Sequence, residues 1–577
     1  IIYPIGYDSA ALRCATMLRN AYDYINFSIK KTPKKVSIIL HNKSSMSNAM
    51  VALMPRRSEF WHTPPQESLH PIDWTASLIL HEFRHVIQYD MLDQGMGRVL
   101  RILLGEYGIG MKSLFSPDWY YEGDAVATET ALSFAGRGRS ADFNKEIKAQ
   151  ILDKGIYNYS KATLGSYKSN IPNHYILGYN LIAYGRLKYD ASLWSDAHKR
   201  SGKRFFMPPV TVPLIGIPFI SPVGWRPFST GIKNVTGMNK EKFYRIAMQD
   251  LKTYWSKQLE FQQYIPYEKV KTPNNKRYTN YKFPSLLSRD TLIALKSGMS
   301  NSPTIVKILP DGKEKKIKQI SSATWNSPIN TNGNAIVWSE DNSHIRWTEK
   351  VYSDIILYDL KKDRSFIQKL KGRRSHISRR QYYYAPDISP DGNTIATVEV
   401  TTKGTYNLVI IDVKSKKVFA KYPTPKNAFI MTPRWADDNK TVSCVLLGQK
   451  GKTLAICNTT NGKFTEYSKA SFTDVSNPLL YKNYLVYTSE YNGNNEIYAL
   501  DTNTKKFYQI TGTKYGARYP SIKNDQLLFS SYTADGYEIG KEEFNSKLWI
   551  ESSKISIKKD SIVKGLLKDE KGIPNLF

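Results

Sequence analysis

The segment Leu80-His81-Glu82-Phe83-Arg84-His85-Val86 carries the most specific chemistry in the chain. It lies in a run from Trp74 to Gln88 without proline or glycine, which reads as helix. On a helix, residues i and i+4 share a face one turn apart. His81 and His85 can therefore turn imidazole nitrogens toward one cation, with Glu82 leaning over its open side. A third donor, Glu122, sits in Trp119-Tyr-Tyr-Glu-Gly-Asp-Ala125, a later helical segment 37 residues beyond His85. Two imidazoles and one carboxylate leave a fourth tetrahedral position for water, the donor set of a catalytic zinc rather than a structural one. The expectation is one Zn2+ held by His81, His85 and Glu122, with Glu82 as the base. The competing reading is a pair of helix histidines hydrogen-bonded in an ordinary core. Asp124 and Glu129 are expected to orient the histidines, or else to be surface charges.

These residues need a scaffold. Residues 10–27 have helical periodicity, and 36–41 and 50–54 read as strands. Helical patterns follow at 74–92, 119–135, 142–153, 174–189 and 239–264, and Thr272-Pro-Asn-Asn275 punctuates the end of that half. Beyond about 276 short β-type runs alternate with Asp-Gly and Asn-Gly turns. Ala385-Pro-Asp-Ile-Ser-Pro-Asp-Gly392 opens a weak repeat whose prolines Pro386, Pro433, Pro478 and Pro520 stand 47, 45 and 42 residues apart. That period, with several short strands per unit, predicts propeller blades, which bury their faces only against neighbours in a closed ring. The expected order is an α/β zinc-peptidase-like domain over 1–140, a helical subdomain over 141–272, a β-propeller of about six blades over 276–545, and a basic tail over 546–577. An ordinary β-sandwich is the alternative for the third part.

The pairing of HExxH with Trp-x-x-Glu-Gly-x-Ala resembles the gluzincin peptidases, the superfamily of thermolysin and the zinc aminopeptidases. The resemblance implies an α+β metallopeptidase domain with a helical C-terminal part. It places the ligands at His81, His85 and Glu122 and the base at Glu82. Tyr175-Ile-Leu-Gly178 is similar to the Tyr-x-x-Gly segment of the aminopeptidases, which makes Tyr175 the expected donor to the oxyanion; a packing tyrosine is the other reading. Ala49, Met50, Val51 and Ala52 match the edge strand on which that superfamily adds substrate backbone. The aminopeptidases' Gly-x-Met-x-Asn segment has no counterpart upstream of His81, so exopeptidase specificity is not implied. The Ser-Pro-Asp-Gly unit resembles the propeller repeats of Tol-Pal-type periplasmic proteins. The whole is similar to bacterial peptidase-like proteins that join such a domain to a propeller. The resemblance implies zinc-dependent peptide-bond hydrolysis and a peptide or protein substrate. It also implies a propeller that binds substrate or an envelope partner, in an exported periplasmic or outer-membrane-associated protein. The alternative function is a non-catalytic envelope scaffold that retains its zinc.

Composition bounds the rest. The 577 residues exceed one hydrophobic core. With 82 Lys+Arg against 51 Asp+Glu the net charge is +31. Such a field favours anionic partners, yet the lysines are spread along the chain and no nucleic-acid motif accompanies them. Cys14, Cys444 and Cys457 are too few for a disulfide framework, a single Cys444–Cys457 bridge being left open. Residues 205–225 carry no formal charge but contain five prolines, which excludes a spanning helix. They read as an apolar loop, packed on the protein or touching a membrane or partner.

Overall fold

A computed structural model of the chain describes residues 1–577 except 68, 191, 204–226, 289, 322–327, 361–373, 379 and 556–560; of 374, 375 and 561 it describes the backbone alone. The apolar stretch 205–225 lies outside the described residues.

The chain opens with helix α1 (Asp8–Phe27) and three strands, β1 (Ser37–His41), β2 (Ala49–Leu53) and β3 (Arg56–Trp61). Their order in the sheet is β1-β3-β2, with β3 parallel to β1 and antiparallel to β2. Strand β3 begins Arg-Arg-Ser-Glu and so lacks the apolar pattern of a strand. Its polar side chains are partnered instead: Glu59 accepts from Arg57 and meets His41 Nε2 at 2.7 Å. Helix α2 (Trp74–Leu92) spans the residues expected. Asp73 starts it by accepting from the Ala76 N–H at 3.2 Å, as an N-cap does. Apolar side chains of α1, the sheet and α2 form one core that includes Met17, Ile25, Leu40, Phe60, Ile79 and Val86.

Two short helices, α3 (Met96–Leu104) and α4 (Glu106–Ser113), connect to α5 (Asp118–Ala131). The helical half continues with α6 (Ala141–Ala149), α7 (Tyr159–Leu164), α8 (His174–Lys188), α9 (Ser192–Lys203), α10 (Pro227–Thr236) and α11 (Lys240–Glu260). A second core, with Trp119, Ile182, Trp194 and Phe243, joins α5, α8, α9 and α11.

From 279 to 543 the described chain forms six antiparallel sheets in sequence order, at 279–319, 330–376, 383–423, 429–466, 475–509 and 517–543. The sixth sheet takes its outer strand from β4 (Glu268–Lys269), which precedes the first sheet and pairs with Gly536–Glu543. The last blade is thus closed by the chain's approach to the first. Ser530 Oγ of blade six donates to the Tyr281 carbonyl of blade one at 2.8 Å. This is a six-bladed β-propeller, in which neighbouring blades cover each other's faces.

The repeated prolines acquire a structural meaning here. Phe283, Ala385, Thr432, Asn477 and Tyr519 each precede a proline in the innermost strand of a blade, and all five have left-handed φ between 44° and 59°. The strand pairing slips at each of these positions, a β-bulge. Pro284 and Pro328 stand at the openings of the other two blades, outside the spacing that the four repeated prolines keep.

Residues 546–577, expected as a basic tail, instead fold back. Ile550–Glu551 adds a fifth strand to blade five. Helix α12 (Ser561–Leu567) then returns to the helical half, where Leu566 is fully buried, and Leu576 enters the α1–α2 core. The lysine count concealed the apolar Ile562 and Leu566 of the helix and the later Leu576. All three cysteines are buried and free, so the bridge left open from sequence is not formed.

Candidate metal centre

His81 and His85 lie one turn apart on α2, with their rings edge-to-face at 4.9 Å. Their Nε2 atoms are 3.2 Å apart. Glu122, from α5, sets Oε2 3.2 Å from His81 Nε2 and 3.3 Å from His85 Nε2. The three atoms form a nearly equilateral triangle. Donors about 2.0–2.1 Å from a tetrahedral zinc stand about 3.3 Å apart, so the donor set has the size such an ion requires. Among the described residues this is the one cluster of three His, Cys, Asp or Glu donors that converge in this way.

Glycine explains how closely α5 approaches α8. A Cβ on Gly123 would stand 2.2 Å from the Gly178 carbonyl carbon, and one on Gly178 would stand 1.9 Å from the Trp119 oxygen. The two helices therefore cross backbone against backbone. That crossing requires glycine at both positions and sets Glu122 and Tyr175 in one neighbourhood. Asp124 then ties three helices together. It accepts from Arg84 Nε and Nη2 at 2.7 and 3.0 Å, from Arg186 Nη2 at 3.2 Å and from Gln88 Nε2 at 2.9 Å. Arg186 also donates to Glu570 at 2.6 Å, so the returning C-terminal segment supports the same web.

The outer nitrogens of both histidines are partnered, which fixes ring orientation. His81 Nδ1 faces Glu129 Oε2 at 3.1 Å. Arg137 holds Glu129 through Nε at 2.7 Å and Nη2 at 2.9 Å, and Nη2 lies 2.6 Å from His81 Nδ1. His85 Nδ1 faces Gln88 Oε1 at 2.8 Å. Asp124 thus reaches His85 only through Gln88, whereas Glu129 touches His81 directly. Gln88 is the residue that sequence reasoning missed; its signal was a position one turn after His85 on the same helix.

Burial opposes ionisation of Glu122, but the His85 and His81 partners hold its carboxyl well below the ordinary carboxylate range. Burial likewise lowers His85 while Glu122 and Glu82 raise it, with a net shift up to about 9. Asp124 and Glu129 lie well below their ordinary range because, against burial, Arg84 and Arg186 face the first and Arg137 the second.

Glu82 is buried beside His81, and no hydrogen bond among the described residues ties its carboxylate. Tyr175 occupies the first turn of α8, stacked 6.2 Å from the His81 ring and under the Arg137 guanidinium at 5.3 Å. Burial first, then the nearby Glu122 carboxylate, pushes its phenol well above the usual range, keeping the O–H protonated. The segment Ala49, Met50, Val51 and Ala52 forms most of β2, which has a strand on one side only in its sheet. The Glu122 side chain is 22% exposed against 8% and 10% for the two histidines, so the triad opens toward solvent at the carboxylate.

The propeller packs against this lobe. Phe134 stacks on Phe472 at 5.2 Å, Glu490 accepts from the Ala141 N–H at 2.8 Å, and Arg518 pairs with Asp142 at 2.8 Å. A cavity of about 610 Å³ lies between the lobes, lined by Asp142, Lys145, Lys282 and Arg518 among others and away from the metal triad.

No family model matches the chain, and no curated protein does. Solved structures with a similar chain path include TolB from Acinetobacter baumannii, 15% identical over 53% of this chain and 72% of that one, with a TM-score of 0.30. The β-propeller domain of the trilobed protease from Pyrococcus furiosus is 12% identical over 47% of this chain and 99% of that one, with a TM-score of 0.32. A puromycin-hydrolyzing peptidase of Mycobacterium tuberculosis is 10% identical over 51% and 58%, with a TM-score of 0.34. These likenesses are too distant to assign an activity.

Proposed function

We propose that the protein is a zinc-dependent peptidase of the gluzincin type. The observation that carries the proposal is the triangle of His81 Nε2, His85 Nε2 and Glu122 Oε2, with edges of 3.2, 3.2 and 3.3 Å and Glu82 next in sequence to His81. Held by His81, His85 and Glu122, one zinc ion would supply Lewis acidity there, bringing the pKa of water down toward ~7 and polarising the scissile carbonyl. Glu82 takes the proton of the attacking water and delivers it to the leaving amine. Tyr175, protonated, donates to the oxyanion. Glu129 beside His81 Nδ1 and Gln88 beside His85 Nδ1 orient the two imidazoles so that both Nε2 atoms face the metal position. Strand β2 takes the substrate backbone as an added strand on its open edge. The propeller binds substrate or an envelope partner, in an exported bacterial protein of the periplasm or outer membrane.

The second reading, a scaffold that keeps a structural metal, draws on the burial of both histidines. Three protein donors rather than four weigh against it. Hydrolysis of a peptide library with and without chelator separates the two readings. The Glu82→Gln variant is expected to keep one zinc per chain and lose roughly 10²–10⁴-fold in rate. A wild-type protein that binds zinc but cleaves nothing supports the scaffold.

A further inference from the structure

Helices α3 and α4 form a hairpin whose outer surface is apolar. Val99, Ile102 and Leu103 line one stripe of α3 at i, i+3 and i+4; Tyr107 and Met111 line one stripe of α4 at i and i+4, and Leu114 follows at its C-cap. Both stripes face away from the protein: Ile102 and Leu103 are each 71% exposed and Leu114 is 82% exposed. Isolated exposed apolar residues are ordinary, but a contiguous group of this kind marks an interaction surface.

The inner side of the hairpin is fully engaged. A Cβ on Gly108 would stand 2.3 Å from the Leu100 carbonyl carbon, so α4 packs directly on the α3 backbone. Arg101 donates to Asp93 at 2.9 Å, and Glu106 pairs with Arg56 at 4.0 Å. The tip stands clear, since a Cβ on Gly105, which makes the turn at φ 62°, would meet no atom within 4 Å. An apolar edge that projects past its own scaffold matches a soft, penetrable partner better than the flat face of a folded protein.

Charge decides the kind of partner. Near the hairpin Lys34, Arg56 and Arg101 are paired with Asp90, Asp93 and Glu106, which leaves Arg98 and Lys203 as the cations that no ion pair among the described residues engages. Arg98 is exposed and adjoins the α3 stripe, and the Lys203 carbonyl lies within 2.8 Å of where a Cβ on Gly95 would stand, at the start of α3. The local excess of cations has the sign of the whole chain, +31. Aliphatic side chains with an aromatic neighbour and a basic rim are the composition of a segment that lies in the headgroup region of an anionic bilayer. No helix among the described residues is long and apolar enough to cross a membrane.

We propose that the α3–α4 hairpin docks this protein on an anionic phospholipid surface. The docking stands independently of the metal. It also gives the proposed peptidase a location for its substrate, because β2 adjoins the hairpin: Leu53 Cδ1 lies 3.8 Å from where a Cβ on Gly110 would stand.

The test is flotation of the full-length protein with phosphatidylcholine vesicles that contain or lack phosphatidylglycerol. The protein is expected to float with the anionic vesicles and to dissociate as salt rises. The combined variant Ile102→Ser, Leu103→Ser and Leu114→Ser, checked for unchanged circular dichroism and peptide hydrolysis, is expected to bind at least ~tenfold more weakly. Arg98→Glu is expected to weaken binding severalfold. In case the triple variant misfolds, Tyr107→Trp supplies a second readout: the fluorescence it adds is expected to be quenched by brominated lipid. Wild-type protein that stays unbound on anionic vesicles, or added fluorescence in Tyr107→Trp that brominated lipid leaves untouched, overturns the proposal. So does a dimer in sedimentation equilibrium that the triple variant abolishes, which would make the patch an interface between copies of this chain.

Discussion

Two consecutive stretches of helix, α2 and the α3–α4 hairpin, invert the ordinary partition of side chains in opposite senses. Helix α2 buries His81, Glu82, Arg84, His85, Gln88 and Asp90, each less than a tenth exposed. The hairpin that follows it exposes leucine, isoleucine and methionine. Charged groups inside a protein are tolerated only where partners replace water. Apart from Glu82, whose carboxylate no hydrogen bond among the described residues ties, those of α2 have such partners: Asp124 for Arg84 and Gln88, Glu129 for His81, Arg56 for Asp90. Exposed apolar groups have no internal compensation and await an external one. One inversion marks a finished site, the other an unfinished surface.

The comparison is broken most directly at Asp124. Asp124→Ala leaves Arg84 and Arg186 buried without their carboxylate, and a stability loss of about 3–5 kcal/mol is expected by chemical denaturation. A loss below about 1 kcal/mol would mean that the web does not brace the lobe. A smaller effect is expected from Glu129→Gln, which keeps a hydrogen-bond acceptor near His81 but removes the charge that Arg137 balances. Metal affinity is expected to fall ~10–100-fold in a competition titration, with the fold unchanged. Unaltered affinity would make Glu129 a purely structural partner of Arg137.

The propeller supplies the sharpest contrast. Glu496 is fully buried and accepts from Thr511 Oγ1 at 2.7 Å and from the N–H and Oγ1 of Thr513 at 2.8 and 2.9 Å, all neutral donors. Without a cation beside it, burial pushes its carboxyl up to about 7. Because the folded value exceeds the unfolded one, the stability contribution is complete below about 4.5 and is lost as pH rises through about 7. Glu496→Gln is expected to flatten that slope and to gain about 3 kcal/mol over wild type at pH 8 relative to pH 4. Identical pH profiles for the two proteins would contradict the assignment.

Much of this architecture was legible in the sequence because it rests on local periodicity. Helix α2 needed only the absence of proline and glycine and a good cap. The blades announced themselves through prolines that mark a recurring bulge. The period faltered at blade two, where 58 residues separate Pro328 from Pro386. Other features were hidden because they depend on partners far away in sequence. Strand β3 looked too charged until Glu59 met His41. Gln88 gains its role only when α5 brings Asp124 beside α2. The returning C-terminal segment is defined by Glu570 meeting Arg186, 384 residues apart. Asp124 was singled out as a partner of a histidine, but two arginines and Gln88 claim its oxygens.

Zinc K-edge absorption of the purified protein tests the central claim most directly. The expected result is one zinc per chain bound by two imidazoles, one carboxylate and a solvent oxygen at about 2.0–2.1 Å, with the imidazole signal reduced in His85→Ala. A site with four protein ligands, or protein that retains no zinc after dialysis, would contradict it.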